Sequence, residues 1–174
     1  MAGTLEQIEG EVWPEPSFDS HLVTTCHALR KKPIDQFTVE DLRIMIGQNF
    51  GVEHLFPYAL KVLRSNPLVA GDFYEGDLLK SVLCSDFIRT SDDIHIFQEL
   101  EALCSLAFDE GVRQIDEDIS LTFFGMPPSD FGVDEARVAD LRANKLLELE
   151  KHQPWTTVLE FMRERGLPVD LSPT

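Results

Sequence analysis

Apolar residues recur at helical spacing through most of this chain. The longest run is Val52, Leu55, Phe56, Ala59, Leu60 and Leu63, at i, i+3, i+4, i+7, i+8 and i+11. Such a stripe predicts an amphipathic helix with one buried face. Pro57 falls inside it, so the helix either starts near His54 or bends there. Just before it, TVEDLRIMIGQNFG turns Leu42, Met45 and Ile46 to one side. Thr38 followed three residues later by Asp41 is a capping-box-like start, and Gly51 is a left-handed stop. The two helices are joined by a glycine hinge, and their apolar residues are core.

The same reading extends along the rest of the chain. DSHLVTTCHALRKK places Leu22, Val23, Cys26 and Leu29 on one face, with Asp19 as the N-cap and Arg30, Lys31 and Lys32 where a helix C-terminus favours cations. SNPLVAGDFYEGD is a turn-rich connection to a helix carrying Leu78, Leu79, Val82 and Leu83. Ser91 caps a further helix with Phe97, Leu100, Cys104, Ala107 and Phe108 on one side. The alternation of Ile119, Leu121 and Phe123 is the one place where a short strand fits, over 119–124. MPPSDFG reads as loop, followed by helices over DEARVADLRANKLLELEKH and PWTTVLEFMRERG. Residues 1–17, acidic and interrupted by Pro14 and Pro16, read as an extended arm that Trp13 and Phe18 pin to the body. The expected architecture is all-α, a single domain over 1–174 built as a bundle of about seven helices.

Charge changes this picture more than composition does. The 174 residues carry 31 acids against 15 bases, a formal net charge of −16. That field repels phosphate backbones and anionic bilayers, so neither nucleic acid nor a membrane is an expected partner, whereas a basic protein would be steered toward it. Acid also simply keeps a protein soluble. Cys26, Cys84 and Cys104 form no C-x-x-C, and the N-terminal ten residues lack the basic and apolar segments of a secretory signal. No apolar run approaches the ~18 residues that cross a bilayer. The expected compartment is the cytoplasm, with reduced thiols.

Catalytic constellations are missing. Cys26 and His27 are neighbours, and neighbours on a helix point about 100° apart. His21, His27, His54, His95 and His152 are scattered without an H-x-x-x-H pair. Asp116, Asp118 and Ser120 fit the first positions of a calcium loop, but Leu121 stands where glycine is needed and Pro127 where glutamate is needed. Gly71 and Gly76 bracket an acidic segment, the opposite of a phosphate cradle, and no G-x-S-x-G occurs. No enzyme activity, cofactor or metal is expected. Acid concentrates in two places. Asp109, Glu110, Asp116, Glu117 and Asp118 stand against one arginine, and Asp72, Glu75 and Asp77 have Phe73 and Tyr74 between them. Either cluster can be a protein-binding surface. The first can equally be a solvated helix end, and the second can be N-cap chemistry for the Leu78 helix.

Three blocks carry a family likeness: DSHLVTTCHALRKKP, FTVEDLRIMIGQNFGVEHLFPYALKVL and NPLVAGDFYEGDLLKSVL. From about Leu5 to Leu83 the chain resembles the immunity proteins of bacterial contact-dependent growth inhibition (CDI) systems. The resemblance implies a non-enzymatic cytoplasmic binder that neutralises the C-terminal toxin domain delivered by a neighbouring cell. A nuclease toxin would have a basic cleft, which an acidic inhibitor could occupy in a 1:1 complex. If the matching part is shared scaffold, the interface is expected mainly at Asp109, Glu110, Asp116, Glu117 and Asp118, where clustered carboxylates repel one another. Next comes the loop with Asp72, Tyr74, Glu75 and Asp77. Two other classes stay open on the residues alone: an acidic helical adaptor, and a hydrolase whose carboxylates or metal ligands come from distant parts of the sequence.

Overall fold

The alternation of buried and exposed positions resolves into nine α-helices and no strand among the described residues of the computed structural model, which are 2–16 and 20–169. Seven have eight or more residues: α2 (His21–Arg30), α3 (Val39–Gly47), α4 (Val52–Ser65), α5 (Asp77–Cys84), α7 (Ile94–Thr122), α8 (Glu135–Leu149) and α9 (Trp155–Glu164). Two single-turn helices join them, α1 (Leu5–Glu9) and α6 (Asp86–Arg89). The all-α expectation holds. The chain divides into two compact units, Met1–Asp93 and Ile94–Thr174.

In the first unit, α3 packs on α2, α4 and α5. Its capping box is present: the Thr38 hydroxyl accepts from the Asp41 N–H at 3.2 Å, and the Asp41 carboxylate accepts from the Thr38 N–H at 2.8 Å. Leu42, Met45 and Ile46 are buried together with Leu55, Ala59 and Leu63 of α4 and Leu78, Leu79 and Val82 of α5. Helix α4 begins at Val52 and carries Pro57 within its second turn. Gly51 has φ +61, and a β-carbon there would fall 2.7 Å from the side chain of fully buried Leu5.

The segment expected as an extended arm opens instead with α1. Its signal was in the sequence: Thr4 and Gln7 form a second capping box. Beyond it the chain is pinned by Trp13, whose ring meets His27 and Phe50 edge-on at 5.1 and 4.7 Å. Phe18 and Asp19 lie outside the described residues; Ser20 stands at the N-cap of α2. Arg30 is 2% exposed. Its guanidinium pairs with Glu9 at 2.5 Å, donates to the Glu11 carbonyl at 2.9 Å and lies 4.2 Å from the Trp13 ring centre. The sequence places Arg30 with Lys31 and Lys32 as helix-terminal cations, whereas Arg30 is the buried clamp on the N-terminal segment.

In the second unit α7 runs unbroken for 29 residues and packs on α8 and α9. It starts at Ile94, three residues beyond the expected cap Ser91, whose hydroxyl accepts from the Asp93 N–H at 3.2 Å. The short strand proposed for 119–124 is absent because the apolar residues there follow the helical period. Ile119 and Phe123 are four apart and buried with Ile115 and Leu146, while Leu121 faces solvent. Gly111 does not break the helix. It makes room for Trp155 of α9, since a β-carbon would fall 2.5 and 2.7 Å from the indole. Gly111→Ala is therefore expected to destabilise this unit by about 1–3 kcal/mol through overpacking, against a helix-propensity gain of only about 1 kcal/mol. Denaturation followed by Trp155 fluorescence checks this, and an unchanged or raised midpoint would contradict it.

Candidate functional site

The first acidic cluster lies in the second half of α7, which continues past it to Thr122. Helical periodicity puts Glu110, Arg113 and Glu117 on one stripe, and Arg113 pairs with both acids. Its Nε donates to Glu110 at 2.9 Å, and this bond holds the Glu110 carboxyl below the usual carboxylate range. Asp116 pairs with Arg142 at 2.9 Å and Asp118 with Lys145 at 3.1 Å, both cations coming from α8. Counted along the helix, these two pairs flank the buried Ile115–Ile119 seam on either side. Asp109 is exposed and has no ion pair among the described residues. Four of the five carboxylates are thus compensated inside their own unit, so the self-repulsion that singled them out is largely relieved. The partners could not be foreseen, because Arg142 and Lys145 lie 26 and 27 residues away.

The second cluster is built differently. Residues 71–76 form a tight loop between α4 and α5, closed by a bridge between Ala70 and Glu75 and by bonds from the Gly76 N–H to Leu68 and Val69. Asp77 is the first residue of α5, not its cap; Gly76, with φ +80, occupies that position. The Asp77 carboxylate is 2% exposed and turns back on the loop, accepting from the Gly71 N–H at 2.7 Å and the Phe73 N–H at 3.2 Å. Glu40 of α3 accepts from the Asp72 N–H at 2.9 Å. Arg43 donates two hydrogen bonds of 2.6 Å to Glu40 and lies 3.8 Å from Asp77. The Arg43 bonds hold the Glu40 carboxyl below its usual range, and the bond from Asp72 lowers it further. Gly71 is required by close approach: a β-carbon would fall 2.6 Å from Glu40, 2.9 Å from Asp77 and 3.1 Å from Arg43.

One aromatic ring stands on this base. Phe73 is 71% exposed, with the Arg43 guanidinium 4.4 Å from its ring centre. Asp72 and Glu75 flank it, both exposed, and Tyr74 is half-buried with its hydroxyl pKa pushed up by burial. An exposed ring held by an arginine and framed by carboxylates is suited to docking on a basic protein surface. In the sequence Phe73 stands only as an aromatic between acids, and Glu40 and Arg43 are among the residues with no assigned role. The helical spacing of Glu40 and Arg43 was the available signal.

Nothing described resembles an assembled reaction centre. Cys26 and Cys104 are buried, and burial pushes the Cys104 thiol up to about 12. Among the described residues no group of three His, Cys, Asp or Glu side chains could hold a metal ion, and no helix is long and apolar enough to cross a membrane. The described geometry is that of an all-α protein. The family of CDI immunity proteins matches residues 7–100, more than half of the chain, and the chain belongs to that family. The match covers the whole loop and its supports. No curated protein matches the chain significantly. Membership gives it an immunity function and implies a cognate toxin as partner.

Proposed function

We propose that this chain neutralises, in the cytoplasm, the C-terminal toxin domain of a CDI exoprotein by direct 1:1 binding, with the 71–77 loop lying across the toxin's active-site cleft. The observation that carries the reading is Phe73, exposed on a loop that Glu40, Arg43 and Asp77 hold rigid, inside the part of the chain that defines the family. A preorganised aromatic anchor loses little conformational entropy on binding, which is where tight interfaces concentrate their energy. Asp72 and Glu75 beside it favour a basic cleft, and a nuclease has such a cleft because it must hold phosphates. Asp77 and Glu40 act as positioning residues beneath the surface. The acids of α7, four of them already paired, contribute mainly to the long-range field of the −16 chain, which speeds encounter with a basic partner.

Growth rescue tests this reading. Cells induced to make the C-terminal toxin fragment of the cognate CDI exoprotein are expected to survive when the chain is co-expressed, and the two are expected to co-purify. Continued killing in the presence of abundant folded chain would refute it.

A further inference from the structure

The segment following α7 holds an apolar knob. Leu121, Phe124, Met126 and Phe131 are 71, 81, 48 and 45% exposed within eleven residues. The turn is well closed: the Gly125 N–H donates to the Ser120 carbonyl and the Phe124 N–H to Leu121, both at 3.0 Å, and Phe131 leans on buried Phe123 at 5.6 Å. Phe124 takes φ +54, at a helix end where glycine is the favoured residue. A bulky side chain in the left-handed region is strained, and its exposed ring gains nothing from the unit that carries it. Both costs point to a use outside the fold.

The charge around the knob selects the occupant. From Gln114 to Glu135 there are six acids and no lysine or arginine; Arg142 of α8 borders the turn at Gly125–Pro128, and Glu117 pairs with Arg113. Asp116 and Asp118 are paired by α8, whereas Asp130, Asp134 and Glu135 have no ion pair among the described residues. A second copy would bring the same acidic rim and another −16 charge against it, and an anionic bilayer would be repelled in the same way. A protein surface with an apolar socket and a basic rim fits both features. The knob also lies beyond residue 100, in the part that the family match does not define.

We propose that the 121–131 turn is a second docking surface, inserted into an apolar, basic-rimmed socket on the cognate toxin, and that it sets which toxin the chain accepts. This rests on the proposed function, with the loop at Phe73 as the other contact. Phe124→Gly in the full chain separates a recognition role from a structural one, because glycine relieves the left-handed strain while deleting the ring. With the purified toxin fragment as probe, Phe124→Gly and Leu121→Ser are each expected to weaken binding about 10-fold or more, and Phe124→Gly is expected to keep or raise the melting temperature. Wild-type affinity in both variants would overturn the knob alone, while absence of any complex with the wild-type chain would end the proposed function and the knob with it. Sedimentation of the chain alone supplies the other decision. A concentration-dependent dimer that Phe124→Gly abolishes would assign the knob to a second copy and overturn the proposal, and a monomer in both supports it.

Discussion

Asp72→Lys, Phe73→Ala and Glu75→Lys combined in one chain are expected to lower toxin affinity by about 100-fold or more, with little change in stability. Truncating an aromatic anchor commonly costs about 2 kcal/mol of binding, near 30-fold, and reversing two charges on an electrostatically steered surface slows association by a further ~10-fold or more. None of the three side chains is part of the buried core, so the unfolding midpoint is expected to stay close to wild type. Gly71→Ala reaches the same loop from beneath. Its added methyl would displace Glu40 and Asp77 from the backbone amides they hold, and affinity is expected to fall without any change in surface charge. Calorimetric titration against the toxin fragment measures both. Unchanged affinity in the triple variant would remove the loop from the interface.

Arg30→Ala is expected to destabilise the first unit by about 3–5 kcal/mol, the usual cost of breaking a buried ion pair by removing one partner. The loss has three parts. Glu9, whose side chain is 21% exposed, would be left without its cation, the Glu11 carbonyl would lose a donor, and Trp13 would lose the guanidinium stacked on it. Arg30→Met keeps much of the volume and is expected to cost less, because only the polar part of the clamp goes. The tryptophans serve as separate reporters, Trp13 at the clamp and Trp155 in the other unit, so a Trp155→Phe background isolates the signal. An unchanged midpoint for Arg30→Ala would show that the N-terminal segment adds nothing to the stability of the unit.

The regular part of the fold was legible because burial and helical period coincide. The Val52–Leu63 stripe is buried as its spacing predicts, and Thr38 and Asp41 cap α3 as their separation predicts. Failures came where one residue type serves two purposes. The acids of Asp109–Asp118 can be read as a solvated helix end, but α7 continues past them, and Gly111 among them makes room for the Trp155 indole. Ile119 and Phe123 fit a period of two only because Leu121, an exposed residue, fills the gap between them. The construction of the proposed 71–77 surface is not written locally in the sequence. Acid around an aromatic pair marked residues 72–77, yet the support for Phe73 comes from Glu40 and Arg43, more than thirty residues earlier in the chain. Nothing local in the sequence says that Asp77 faces inward to hold amides rather than outward to meet a partner. For Asp109–Asp118 the net charge says nothing of local compensation, since the pairing Arg142 and Lys145 belong to another helix.

Direct neutralisation is decided most simply by titrating the purified toxin C-terminal fragment with this chain while following the fragment's own activity. The account predicts that activity falls in proportion to added chain and reaches zero at one equivalent, and that the Asp72→Lys, Phe73→Ala, Glu75→Lys chain leaves it running at the same concentration. A fragment that remains fully active beside an excess of folded wild-type chain would contradict it.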